Sequence, residues 1–161
     1  MKAISVILTF IFILTAGYCT YLFFTSQVDI VEVSVSSVEA SSQEELFSTI
    51  QDQFRLNAIV GTPFTDTLSD SSSDYKFCTY RVHLANTCFL PASTIEITVS
   101  PMQGDVLQLP DSTQHLLPSQ SQGIMECSIL TDIHMHTVRD LKITYYMWGI
   151  PFTLHTRTPQ A

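Results

Sequence analysis

The chain has 161 residues, with 15 acidic and 7 basic side chains and a formal net charge of −8. This acidic balance argues against binding to nucleic acid and against adhesion to anionic lipid through surface charge, because both targets repel a negative protein. Residues 27–161, which follow an apolar N-terminal run, are enough for one ordinary domain with a buried core.

The N-terminal run extends from Ala3 to Phe24 without a charged side chain. About 20 apolar residues in a helix span a bilayer core of about 30 Å, since each residue adds about 1.5 Å. We therefore predict a single transmembrane helix within residues 1–26, with the bilayer contacting residues 3–24. The run continues past Gly17, which favours a retained signal-anchor over a signal peptide cleaved at that glycine.

The distribution of basic residues predicts the orientation of this helix. Lys2 precedes the helix, and the next basic residue is Arg55. Because basic residues are retained on the cytoplasmic side, we expect a cytoplasmic N-terminus. The sequence thus predicts a single-pass protein of the cell membrane, with residues 27–161 forming an external domain.

The external domain is predicted to begin with a strand and a helix. Valines alternate with polar residues from Val31 to Val35, which predicts a strand near residues 28–38. Ser42 followed by Glu45 matches the capping box that opens many helices. The apolar residues that follow recur on one helical face: Leu46, Phe47, Ile50 and Phe54. We therefore predict an amphipathic helix over Gln43 to Phe54.

The rest of the domain is predicted to be β-structure. A segment rich in Ser, Thr and Asp, Gly61 to Asp74, reads as a loop. Alternating or strand-like segments separated by turn residues then predict strands over residues 75–86, 95–100, 106–109, 125–129, 141–147 and 152–156. Short strands with a single helix indicate a mainly β fold, namely an antiparallel immunoglobulin-like β-sandwich with one short amphipathic helix, preceded by the transmembrane helix.

One segment carries a family resemblance. The run from Tyr80 to Pro101, YRVHLANTCFLPASTIEITVSP, resembles the strand, Asn-containing turn and strand of immunoglobulin-like domains in bacterial envelope proteins, such as the CARDB and FxLYD groups. The resemblance implies an adhesive or accessory extracellular module, with no catalytic residues to carry over. Within it, Asn86-Thr87-Cys88 is at most a rare type of glycosylation acceptor.

Three cysteines follow the anchor, and they allow two interpretations. Cys78 and Cys88 lie too far apart along one extended segment, roughly 33 Å, to form a disulfide. Cys78 and Cys127 are able to form one if their strands are neighbours. The alternative is that all three are buried, unreactive thiols in the core.

The cluster Asp132, His134 and His136 is a candidate metal site. On an extended segment these alternate residues share one side, and carboxylate with imidazole suits a divalent transition metal such as zinc. His83 or His115 would have to supply further ligands through the fold. The alternatives are a solvated loop between strands and a pH-sensitive patch, since imidazoles titrate near pH 6.5.

A further candidate site is an interaction patch made of Tyr146, Trp148 and Phe152. The strand that contains Tyr146 is apolar on both faces, so its second face needs a cover. Either the amphipathic helix lies over it, or the aromatic side chains stay exposed for a partner, where Tyr and Trp are enriched.

Catalytic signatures are lacking in the sequence. No Gly-x-Ser-x-Gly motif occurs, and the five glycines are not clustered. We therefore predict no enzyme and no cofactor, unless a divalent metal occupies the histidine cluster. The leading hypothesis is a membrane-anchored β-sandwich with a binding or structural role toward an envelope protein or polymer. The alternatives are a metal-binding or pH-responsive module and, third, a secreted hydrolase.

Overall fold

The computed structural model describes residues 2–25, 27–110 and 116–159. These ranges contain two α-helices, α1 (Lys2–Thr25) and α2 (Glu44–Arg55). They also contain eight strands: β1 (Val28–Glu39), β2 (Thr62–Pro63), β3 (Tyr75–Asn86), β4 (Ser93–Val99), β5 (Asp105–Gln108), β6 (Ser121–Asp132), β7 (Asp140–Met147) and β8 (Ile150–Arg157). Helix α1 includes one stretch, Ile4–Leu22, that is long and apolar enough to cross a membrane.

The strands form a sandwich of two antiparallel sheets. The first sheet has the order β1-β3-β6-β5-β2, and the second has the order β4-β7-β8. Leaving β2 aside, these orders match the A-B-E-D and C-F-G sheets of an immunoglobulin constant-type domain. The predicted immunoglobulin-like sandwich is therefore confirmed by strand order.

The main core lies between the two sheets. It is filled by alternate residues of the central strands, as the alternation in the sequence predicted. On β3 the inner face carries Cys78, Tyr80, Val82 and Leu84, and β7 contributes Leu141, Ile143, Tyr145 and Met147 from the opposite sheet. All eight side chains are buried.

Helix α2 builds a second, smaller core on the outer face of the five-stranded sheet. Phe47 and Ile50 pack there against Phe77 of β3 and Leu130 of β6. The predicted helix bounds are correct to one residue, but the predicted capping box is wrong. A short 3-10 helix over Ala40–Gln43 precedes α2, and within it the Ser42 hydroxyl donates to the carbonyl of Glu39.

The predicted loop from Gly61 to Asp74 contains two short elements, strand β2 and a 3-10 turn over Ser72–Asp74. Gly61 has a φ of +117°, and a Cβ at this position would lie 2.4 Å from the backbone oxygen of Gln108. Only glycine permits this approach, which brings β2 alongside β5.

Candidate functional site at the open edge of the three-stranded sheet

Helix α2 does not cover the second face of β7. It follows β1 and precedes β2 and β3, which all belong to the five-stranded sheet, and its buried face packs on that sheet. Tyr146 and Trp148 consequently remain exposed, with 36% and 55% of their surfaces accessible. The interpretation that the helix covers this face is therefore wrong, and no helix or strand among the described residues covers the outer surface of the three-stranded sheet.

The predicted patch Tyr146, Trp148 and Phe152 is divided between two faces. Phe152 pairs with Tyr145 in register and packs inward, where the two rings stack with centroids 5.5 Å apart. Trp148 occupies the two-residue β7–β8 turn with Gly149, and both have positive φ, as a type I′ turn requires. Tyr146 and Trp148 are thus exposed, whereas Phe152 belongs to the core.

Strand β8 forms one edge of the three-stranded sheet, and no strand within the described ranges pairs with its outer side. The backbone N–H of Thr158 donates to the carbonyl of Arg139, and the β7–β8 register is regular. Antiparallel pairing alternates with period two, so the backbone groups of Thr153, His155 and Arg157 point away from β7. Pro151, which has no N–H, lies at an outward position where none is needed.

The opposite edge of the same sheet is covered. The side chain of Gln108, from β5 in the other sheet, donates to the carbonyl of Ile97 at 2.6 Å and accepts from the N–H of Val99 at 3.0 Å. This side-chain amide takes the place of a neighbouring strand along part of β4. The two edges therefore differ, because part of β4 is covered by Gln108, whereas β8 presents the outward backbone groups of Thr153, His155 and Arg157.

The outer face beside β8 is polar at its centre and apolar at one end. Cross-strand pairs place Lys142 beside His155, and Tyr146 beside Pro151. At the other end of β8, a pocket of about 350 Å³ is lined by His136, Val138, Arg157 and Thr158. An extended peptide laid along β8 would thus meet a polar strip, with an aromatic side chain at one end and a pocket at the other.

Arg139 organises the loop that forms this pocket. Its guanidinium donates to the backbone carbonyls of His136 and Val138, at 2.7 and 2.8 Å. Burial alone would lower the pKa of Arg139, but the hydrogen bond and charge of Asp105 outweigh it and raise the pKa. Neither Arg139 nor Asp105 was predicted from the sequence, because a lone Arg and a lone Asp 34 positions apart carry no local signal.

The residues of the predicted metal site do not converge. Asp132 ends β6, and the chain turns at once, with the N–H of Met135 donating to the carbonyl of Asp132. The segment is therefore not extended, and the premise that alternate side chains share one side is wrong. The Asp132 carboxylate instead accepts from the N–H of His134 at 2.8 Å.

Further metal ligands are also lacking in the described part of the chain, where no group of three or more His, Cys, Asp or Glu side chains is arranged to hold a metal ion. His83 lies on β3 beside Glu32 and Ile124, well away from the turn after β6. His115 falls outside the described residues.

The cysteines of the domain are buried. Cys78 and Cys127 lie on the inner faces of neighbouring strands, but Cys78 pairs with Ile129 and Cys127 pairs with Tyr80, and no disulfide joins the two thiols. Burial raises the pKa of the Cys78 thiol, which disfavours the reactive thiolate. The interpretation of buried core thiols is confirmed.

Asn86, which the sequence marks only as part of a rare type of glycosylation acceptor, has a structural role. Its side chain is buried, and its amide nitrogen donates to the carbonyls of Leu90 and Pro118, at 2.8 and 2.9 Å. Its amide oxygen accepts from the N–H of Cys88. Because this nitrogen is buried and hydrogen-bonded, it is not accessible for glycan attachment in the folded domain.

Comparisons with known proteins assign no family to the chain. No family model matches it, and no curated protein matches it. Among solved structures, the crystal structure of the yeast GGA1 GAE domain–P21 is similar to this chain, with 18% sequence identity and a TM-score of 0.37. The match covers 57% of this chain and 93% of that one.

Proposed function

We propose that this protein is a single-pass, membrane-anchored module that presents its β-sandwich outside the cell and acts by binding rather than by catalysis. The apolar stretch of α1, Ile4–Leu22, has a mean hydropathy of 1.9 and no charged side chain, which supports an anchor. Only residues 26 and 27 separate α1 from β1, so the sandwich would stand directly on the membrane surface.

The open edge of β8 is the observation that carries the binding role. Unpaired backbone groups on an edge strand are able to pair with an extended segment of another chain, which is the recognition mode called strand addition. The partner favoured by this edge is a polypeptide of the cell envelope rather than a polysaccharide, because only a polypeptide supplies alternating N–H and C=O groups.

Membrane anchoring is tested by extracting membranes of expressing cells with alkaline carbonate and digesting intact cells with protease. We expect the full chain to stay in the membrane pellet and its domain to be cleaved from outside. Ile11→Arg places a charge at the middle of α1, at a cost of about 2.5–3.5 kcal/mol of insertion free energy, and is expected to reduce retention. Ile11→Leu is the matched control, and release of the unaltered chain by carbonate would refute the anchor.

Strand addition is tested with a photo-cross-linking amino acid in the full chain. We expect adducts with an envelope protein when this residue replaces the exposed Thr153 on β8, and none when it replaces the exposed Thr49 on α2. In the Thr153 background, His155→Pro removes an outward N–H and is expected to abolish the adduct, whereas His155→Ala keeps that N–H and the adduct. Equal cross-linking from both threonines would contradict the proposal.

A further inference from the structure

The point where α1 enters the domain is fixed to one end of the sandwich. The carbonyl of Gln27 accepts hydrogen bonds from both the backbone N–H and the hydroxyl of Thr87, in the turn after β3. The next residue, Val28, is buried in the core between the two sheets, to which Tyr145 of β7 also belongs. Three residues of chain reach about 11 Å at most, so the end of α1 at Thr25 lies within that distance of Val28.

Three loops gather at the same end. In the five-stranded sheet, Val28 pairs with Asn86 and Asn86 pairs with Ser121, so the loops that follow β3 and precede β6 lie beside the anchor. A bridge between Ala92 and Leu117 joins these two loops. Since β4 and β7 are antiparallel, the β7–β8 turn lies beside the start of β4, at this end as well.

These loops and the first residue of β8 expose large apolar side chains. Phe89, Leu116, Trp148 and Ile150, which we name the apolar tip, have 68%, 61%, 55% and 42% of their surfaces accessible. The surrounding segments, residues 86–95, 116–125 and 145–154, contain no Asp, Glu, Lys or Arg. A soluble surface seldom leaves such a cluster of apolar residues without a partner.

We propose that the apolar tip lies in the headgroup region of the bilayer that holds α1, as a second membrane contact of the domain. This inference rests on the proposed anchor. Continuity with α1 selects the lipid as the occupant, because the tip lies at the same end of the sandwich as the point where the helix joins it. Trp and Phe favour this depth, where the ring is buried and the indole N–H still meets water.

The tip is apolar rather than basic, which determines the kind of lipid contact. The nearest charges on β1, Asp29 and Glu32, are acidic and would be repelled by anionic lipid. Contact therefore depends on apolar burial, does not require anionic lipid and is insensitive to salt. Two contacts also hold the sandwich upright, so that β8 runs from the membrane outward with its edge accessible from the side.

Trp148 is the single tryptophan of the chain and reports directly on this contact. We expect the full chain in phosphatidylcholine vesicles to show short-wavelength emission that is quenched by acyl chains brominated near the headgroup and protected from soluble acrylamide. Phe89→Ser combined with Leu116→Ser is expected to shift the emission to longer wavelength and weaken the bromolipid quenching. Leu56→Ser, which removes an exposed leucine after α2, is the matched control and is expected to change neither.

Carbonate extraction of the same vesicles separates the two hypotheses. If the chain is retained and Trp148 is quenched by acrylamide but not by brominated lipid, the tip contact is refuted and the anchor stands. If the chain is released, both are refuted. Equal effects of Leu56→Ser and of the tip variant would also overturn the assignment, because they would mean that the tryptophan senses general loss of structure.

Discussion

Arg139 and Asp105 form a two-point ion pair in the interior of the sandwich. Nε of Arg139 lies 2.9 Å from Oδ2 of Asp105, Nη2 lies 2.7 Å from Oδ1, and neither side chain has accessible surface. The backbone N–H of Met102 also donates to Oδ2. The pair joins the start of β5 to the loop before β7, and each charge depends on the other for compensation.

Asp105→Asn is expected to destabilise the domain strongly. The substitution keeps the shape of the side chain but leaves the Arg139 guanidinium buried and unpaired, a loss of about 3–5 kcal/mol in the free energy of unfolding. Asp140→Asn is the matched control, because Asp140 faces Arg157 at 3.8 Å on the surface and such pairs contribute at most about 1 kcal/mol. Denaturant unfolding followed by circular dichroism measures both, and equal losses would show that the buried pair has no special role.

The free energy of unfolding is expected to decline at alkaline pH because of Tyr80. Burial raises the pKa of Tyr80 above its ordinary value of 10.0, and its hydroxyl donates to the carbonyl of Thr137. The folded state then holds this proton more tightly than the unfolded state. The stabilisation is complete below pH 10 and is lost as the pH rises toward the folded pKa.

Tyr80→Phe separates this effect from general alkaline unfolding. At pH 7 the variant loses one hydrogen bond, about 1 kcal/mol. Above pH 10 its stability is expected to fall less steeply than that of the unaltered protein. The remaining slope includes Tyr145, whose pKa is also raised by burial. Denaturant unfolding at a series of pH values measures the two slopes, and parallel slopes would rule out the contribution of Tyr80.

Asn86→Ala is expected to loosen the end of the sandwich that adjoins α1. It leaves the N–H of Cys88 and the carbonyls of Leu90 and Pro118 without their side-chain partner, which costs roughly 2–4 kcal/mol when such groups stay buried. Amide hydrogen exchange should show faster exchange at residues 87–92. Ser121→Ala removes an exposed hydrogen bond to the same Pro118 carbonyl, and a similar loss from that control would argue against a special role for Asn86.

Helix α2 and all the strands except the two-residue β2 were predictable because their signals are local. The buried face of a strand repeats every two residues, and that of a helix repeats every three or four. The spacing of Val33 and Val35 therefore indicates a strand, and that of Phe47 and Ile50 indicates a helix, before the fold is known. The boundaries of these elements were less predictable where a short 3-10 helix precedes an α-helix. The 3-10 turn at Ala40–Gln43 displaced the expected cap.

Placement of the elements against one another was not predictable from these signals. The alternation of β7 shows that both faces are apolar at its end, but it does not show which sheet α2 joins. The turn after Asp132 has the same residue alternation as a strand, so the histidine cluster was read as extended. Arg139 and Asp105, like Gln108 and Ile97, meet only through the fold, because their contacts join residues distant in sequence.

Gln108→Ala is expected to open the second edge of the three-stranded sheet. The Gln108 side chain accepts a hydrogen bond from the N–H of Val99 and donates one to the carbonyl of Ile97. Its removal leaves these two backbone groups of β4 to face solvent or another chain. We expect a loss of about 1–3 kcal/mol in the free energy of unfolding, together with concentration-dependent association through β4. Gln108→Glu is the discriminating companion, since its carboxylate still accepts from Val99 but has no N–H to donate to Ile97. An intermediate loss in this variant supports the two-bond cover, and unchanged stability and association in both variants would show that β4 is protected in another way.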